Sequence, residues 1–310
     1  MQNNLLHKKR ILITGITGFI GTHLAKKLED LGADVYGISR SIHTPKILKA
    51  NITNYSLINA FIKETKIDIC FHLAGESLVE AGQSHPYRTF KVNTEGTLNI
   101  LEISRKYKME KIIIASTAHV YGENRLPYQE NFTPKPTRPY ETSKACTDLI
   151  AKSYADTFKL PVLIPRFVNI YGPGDLNFNR LVPGIFKAVL TNKSPQIWGG
   201  GAIREYLYID DAVEAYIRLA SVDISYLGES NIFNFGSRDR ISVKSLVQKI
   251  IDASGKKLIM RKNLSKRPLE IKTQYVSSKK AKKILGWKSK VSLDQGLQKT
   301  LSWYTAYFKK

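Results

Sequence analysis

An α/β fold built on a doubly wound parallel sheet, with a smaller interleaved C-terminal lobe, is the architecture this sequence predicts. Three observations carry that prediction. Apolar strand-like runs alternate with amphipathic helical runs from Ile11 to Phe167. A strand, a glycine turn and a helix follow one another at the start of that series. After Asn169 the alternation gives way to turn-rich segments.

Ile11 to Thr14 read as a short buried strand, and Gly15, Gly18 and Gly21 follow at three-residue spacing. Ile20, Leu24, Leu28 and Leu31 then recur at helical spacing until Gly32. A turn without Cβ atoms lets a phosphate approach the backbone, and the helix N-terminus supplies free N–H groups. The spacing is G-x-x-G-x-x-G rather than the usual G-x-G-x-x-G, and its strand–turn–helix setting predicts a Rossmann-type dinucleotide site.

Further strands are expected at Asp34–Ser39, Ile47–Ile52, Ile67–Leu73, Lys111–Ser116 and Pro161–Phe167. Helices are expected at Tyr55–Lys66, Phe90–Tyr107 and Tyr140–Phe158. Strands this apolar imply a parallel sheet covered on both faces, with ligands outside its carboxyl edge. Beyond the loop Tyr171–Asp175, helices are expected at Leu181–Leu190, Ala212–Ala220, Ser242–Ser254 and Leu293–Phe308, with a strand at Asn231–Phe235. Asp210 and Asp211 are expected to cap the second of these helices. The predicted division gives residues 1–170, with a return over about 205–240, to the dinucleotide domain. Residues 171–204 and 241–310 make the substrate lobe.

With 43% hydrophobic residues the chain can bury a full core. Its 48 Lys+Arg against 26 Asp+Glu leave a formal charge of +22. The lysines are scattered, and no basic stripe interleaved with aromatics marks a nucleic-acid face. Cys70 and Cys146 offer neither metal-ligand spacing nor a disulfide framework, so no metal is expected. No eighteen-residue apolar run exists to span a membrane, and Met1–Arg10 lack the apolar stretch of a signal peptide. A cytoplasmic location is the expectation.

Tyr140 and Lys144 stand four apart on a predicted helix, hence on one face. A free tyrosine titrates near pH 10, and an ammonium beside it favours the phenolate. That phenolate can take a proton from a substrate hydroxyl as hydride leaves the carbon. The bland alternative is a solvated surface pair. Ser116-Thr117-Ala118-His119-Val120-Tyr121-Gly122, directly after the fifth strand, adds a hydroxyl that can share the same proton.

These pieces resemble the extended short-chain dehydrogenase/reductase family, the NAD(P)-dependent nucleotide-sugar epimerases and dehydratases, over nearly the whole chain. Further matching segments are Phe71–Ser77, Asn93–Thr97, Arg166–Gly174, Arg204–Asp211 and Ala281–Trp287. The resemblance implies Thr117, Tyr140 and Lys144 as the catalytic set, with His119 a candidate acid/base. It implies a cofactor lined by Gly15, Thr17, Gly18, Phe19, Ile20, Ser39, Arg40, Asn51, Ile52, Leu73, Ala74, Gly75, Asn93 and Val168, besides Tyr140 and Lys144. It implies a nucleoside-diphosphate sugar held by Ser77, Thr117, Asn169, Arg180, Leu181, Arg204 and Arg267, the arginines Arg204 and Arg267 near the diphosphate. For Arg204 a structural salt bridge is the alternative. A homodimer through the helices Phe90–Tyr107 and Tyr140–Phe158 is also implied.

The family's 4,6-dehydratases carry an acid pair after the catalytic threonine, where this chain has Ala118 and His119. Alanine cannot donate a proton, so 4-epimerisation is the favoured expectation. An atypical dehydratase, a 4-keto-sugar reductase and a non-catalytic cofactor-binding scaffold are the alternatives. An acid ending the second strand selects NAD; Ser39-Arg40 stand there, so NADP is favoured over NAD.

Overall fold

The computed structural model describes residues 5–224, 231–263 and 270–309. The chain opens with strand β1 (Arg10–Thr14) and helix α1 (Phe19–Asp30), then β2 (Asp34–Ser39) and β3 (Ile47–Lys49). Next come α2 (Tyr55–Thr65), β4 (Ile69–His72), α3 (Val79–Ser84), α4 (Pro86–Phe90) and α5 (Gly96–Lys106). β5 (Lys111–Ile114), β6 (Ser116–Thr117), α6 (Pro139–Phe158) and β7 (Val162–Phe167) complete the alternating half. These strands run parallel in the order β3-β2-β1-β4-β5-β7, and β6 also pairs with β7. The order reverses between β1 and β4, which is where such sheets hold their ligand.

Alternation along each strand builds two cores. Ile11, Ile13, Phe71, Ile113 and Leu163 face one helical layer, while Leu12, Cys70, Ile112, Ile114 and Val162 face the other. Each such fully buried side chain contributes about 1.5–3 kcal/mol. Local signals set the helix ends. Asn54 Oδ1 accepts the Leu57 N–H at the start of α2, and Lys66 closes that helix in the left-handed region.

The rest of the chain supplies β8 (Asn169–Tyr171), α7 (Leu181–Leu190), β9 (Gln196–Trp198), β10 (Ile203–Tyr208), α8 (Ile209–Ser221) and β11 (Ile232–Phe235). β12 (Arg240–Ser242), α9 (Val243–Ala253), β13 (Arg261–Asn263), β14 (Thr273–Gln274), α10 (Lys279–Leu285) and α11 (Leu293–Phe308) follow. β11 joins the main sheet beside β7. β10 pairs instead with β8, β12 and β14 in a second sheet. Residues 205–208 of the expected return segment therefore lie in the second sheet, and α8 with β11 make the return.

Several expected elements are corrected. The helix expected from Phe90 begins at Pro86 and passes through a π turn at Lys91–Glu95, where Asn93 is buried. The strand expected to run to Ile52 stops at Lys49, because Asn51 Oδ1 accepts the Thr53 N–H and starts a turn. Asp210 and Asp211 do not cap α8; Tyr208 holds the cap and both acids sit in the first turn. Asp211 is buried and accepts the N–H groups of Lys290 and Val291 instead. The segment Tyr171–Asp175, expected to be loop throughout, contributes its first residue to β8. Among the described residues no helix is long and apolar enough to cross a membrane.

Candidate active site

The carboxyl ends of β1, β4 and β5 lie in register: Thr14 is opposite His72, and His72 opposite Ile114. The glycine turn opens from Thr14. Gly15 adopts φ +72° and donates its N–H to Ile38 O. A Cβ on Gly21 would sit 2.3 Å from Gly15 O, so α1 can meet the turn this closely only at glycine. Gly18 caps α1 without a side-chain partner, which leaves first-turn N–H groups at Phe19 and Ile20 for an anion. Thr17 Oγ1 lies 3.0 Å from Ser39 Oγ. Ser39 is buried, whereas the Arg40 side chain is 73% exposed, with Nη1 3.9 Å from Glu76 Oε1. Asn51 is exposed, and Ile52 is buried against Gly96. Val168 is buried and donates its N–H to Phe235 O.

A hydrogen-bond chain links this turn to α6. Thr14 Oγ1 accepts the N–H groups of Leu73 and Ala74, so its own proton goes to His72 Nδ1, 2.8 Å away. Thr97 gives its proton to Asn93 O, so it accepts from His72 Nε2. Asn93 Oδ1 accepts the Glu76 N–H, and its amide donates to Ser143 Oγ at 2.8 Å. Ser143 donates to Tyr140 O. A Cβ on Gly75 would lie 2.7 Å from Asn93 Oδ1, which explains glycine there. Burial, helped by the charge of Lys144, pushes the His72 imidazole down to about 3, so it is neutral.

Pro139 opens α6, and Glu141, three residues past Arg138, accepts both the Arg138 backbone N–H and its guanidinium Nε–H. Tyr140 and Lys144 share one face of α6. Burial pushes the Tyr140 phenol above its usual range; the neighbouring Thr117 hydroxyl and the charge of Arg180 oppose that. Lys144 donates to Ala115 O at 2.5 Å, and burial pushes its ammonium down to about 8 against the pull of Asp148. The ammonium is thus held by a carbonyl, and burial governs the phenol. Thr117 Oγ1 accepts the His119 N–H.

Glu141 is wholly buried. Burial pushes its carboxyl up, but the His119 ring and the Arg138 guanidinium outweigh that and hold it at about 2. His119 Nδ1 lies 3.6 Å from Glu141 Oε1, beyond hydrogen-bond length. Four residues past Lys144, Asp148 forms a buried pair with Arg166 at 2.8 Å. The i, i+4 spacing of Lys144 and Asp148 is a signal that could have placed Asp148 here. His72, Glu141 and Arg138 carry no comparable signal.

On the substrate side, Arg180 donates to Ser77 Oγ and pairs with Asp175 at 3.0 Å, and Leu181 begins α7 beside it. Asn169 donates to Glu205 O. Arg204, expected near a diphosphate, is buried with its guanidinium on the carbonyls of Ile203, Ile271 and Lys272 and 4.0 Å from Glu270. Arg267 lies outside the described residues.

A phenol, a hydroxyl and an amine on a sheet that also carries a dinucleotide-type glycine turn would suit hydride chemistry at a hydroxyl-bearing carbon, the province of nicotinamide-dependent enzymes. Comparison with known proteins narrows this. The NAD dependent epimerase/dehydratase family matches residues 11–236, and the chain belongs to that family. It is 26% identical to UDP-glucuronate 4-epimerase of Thermodesulfobacterium geofontis, over 94% of this chain and 95% of that protein. It is 28% identical to human dTDP-D-glucose 4,6-dehydratase, over 97% of this chain and 91% of that one. The UDP-glucose 4-epimerase of Thermotoga maritima, solved with UDP-glucose, superposes with a TM-score of 0.88 at 27% identity. That match covers 96% of this chain and 99% of the other. The open terminus of α1 and the cradle at Gly15, Gly18 and Gly21 fit the diphosphate of a dinucleotide.

Proposed function

We propose that this chain is a nucleotide-sugar 4-epimerase. A nicotinamide cofactor held at the glycine turn would supply the acceptance of a hydride from the sugar C4 and its return. Tyr140 takes the C4 hydroxyl proton, and the neighbouring Thr117 hydroxyl helps carry it. Reversing the transfer to the other face of the 4-keto sugar completes epimerisation with no further acid/base pair. The observation that carries this reading is the absence of a carboxylic acid at Ala118 beside an intact Thr117, Tyr140 and Lys144. A 4,6-dehydratase is the second reading, favoured by one feature. His119 is only partly exposed and has a buried carboxylate behind it, as an acid/base histidine needs. A 4-keto-sugar reductase is the third. Arg180 and Ser77 would face the sugar nucleotide.

NADP is preferred over NAD on this reading, because the exposed guanidinium of Arg40 follows β2, where a 2′-phosphate would sit. A homodimer through the α4–α5 run and α6 is supported by exposed Tyr87, Leu98, Leu149 and Phe158 on those helices. Sedimentation showing only monomer at micromolar concentration would overturn it.

UDP-, GDP-, CDP- and dTDP-sugars, each incubated with NAD or NADP and followed by NMR, test the activity. A C4 epimer with no net cofactor consumption is expected. A 6-deoxy-4-keto product assigns the dehydratase, and stoichiometric NADPH consumption assigns the reductase. Arg40→Asp is expected to move the NADP/NAD preference at least about tenfold towards NAD. An unchanged ratio means that Arg40 does not read the 2′ position.

A further inference from the structure

A cavity of about 330 Å³ lies apart from the catalytic cleft, between the second sheet and the segment leading into α10. None of the residues placed in the catalytic cleft lines it. Arg238, Arg240, Lys279, Lys282 and Lys288 surround it, and none is in an ion pair among the described residues. All five are exposed at the rim, so their like charges gather around one concavity that is open to an anion. Two serine hydroxyls at the wall, Ser277 and Ser289, have no protein partner among the described residues. Ser278 Oγ accepts the Gly236 N–H, which leaves its own proton free for a ligand. Arg240 is pinned 3.7 Å over the Tyr275 ring, so one guanidinium is held in place.

One carboxyl belongs to the cavity, that of Glu205. Its Oε2 accepts the Val276 N–H, and Gly236 packs so closely that a Cβ there would lie 2.5 Å from Oε2. Burial pushes this carboxyl up to about 7, against that bond and the charge of Arg240. Near neutrality it therefore carries only part of its charge against the five cations. The volume falls in the range of small-molecule sites, not of an extended polymer.

We propose that this cavity is a second anion site, taking a compact phosphate-bearing small molecule through the forks of Arg238 and Arg240, the three lysines and the free serine hydroxyls. Guanidinium forks and hydroxyls suit a phosphate's several acceptor oxygens. The site shares β10 with Arg204, and strand alternation turns Arg204 away from it.

Inorganic pyrophosphate titrated into the full chain by calorimetry is the test. Binding that weakens at least tenfold in the Arg238→Gln, Lys282→Gln double variant is expected. Lys26→Gln with Lys63→Gln, which removes equal charge elsewhere, and Arg180→Gln in the cleft should each leave that binding event intact. Equal loss in the Lys26 and Lys63 control means general charge attraction and overturns the proposal. Loss in Arg180→Gln places the event in the cleft and overturns it too. Unchanged binding in the double variant, or none in the parent, does the same. A single-stranded oligonucleotide that binds through Arg238 and Lys282 more tightly than pyrophosphate would assign the patch to a polymer instead.

Discussion

Tyr140→Phe is expected to lower kcat for nucleotide-sugar conversion by about 10²–10⁴, the usual worth of a positioned general base. The substitution removes one oxygen and keeps the ring, so α6 and its packing survive. Burial raises this phenol, so its proton leaves only with help from its surroundings. Thr117 neighbours it but cannot replace it, since a neutral hydroxyl is a far weaker base. Cofactor binding, followed by fluorescence, should be retained. Turnover within about twofold of the parent removes Tyr140 from the mechanism; loss of both turnover and cofactor binding means the ring supports the site rather than the chemistry.

Asp148→Ala is expected to cost about 3–5 kcal/mol of stability, because it strands the Arg166 guanidinium in the interior. Both partners are almost fully buried, and the Arg166 guanidinium also lies 4.7 Å over the Tyr121 ring. Asp148 also holds Lys144 up against the push of burial, so its removal drives that ammonium below about 8. Urea denaturation checks the first effect. Replacing both partners at once, Asp148→Leu with Arg166→Met, should recover most of the loss, since a matched apolar pair leaves no charge behind. A single-variant cost under 1 kcal/mol would show that the pair is not isolated from water.

The parts of this molecule written in short-range pattern were legible beforehand. Alternation in Ile11-Leu12-Ile13 declared a strand buried on both faces, and the four-residue step from Tyr140 to Lys144 put two groups on one helix face. What stayed hidden depends on partners distant in the chain. His72 meets Thr14 from 58 residues away, and nothing near either residue announces it. β8 reads as loop because its ladder partner, β10, lies beyond α7. Arg204 is expected near a diphosphate, with a structural salt bridge as the alternative, because the carbonyls that take its protons, at Ile271 and Lys272, come from a distant segment. The electrostatics of Tyr140 also resisted reading: proximity of an ammonium was visible, but desolvation, which dominates, needs the packed interior.

The direction of the bonds around His72 makes the site sensitive to acid. Each proton from Thr14 to Ser143 already has its one destination, so an imidazolium would aim a second proton at an oxygen with no lone pair to spare. The unfolded chain picks up that proton near pH 6.5, whereas the native one resists until about 3. Stability is therefore whole above pH 6.5 and drains away as the solution is acidified towards 3, by on the order of a few kcal/mol from this residue. His72→Gln, whose amide can both donate and accept but never ionises in this range, should flatten that acid limb; an unchanged limb would clear His72 of the effect. In a sour medium this enzyme would lose its nucleotide shelf and its catalytic helix at one stroke, through a ring that touches no substrate.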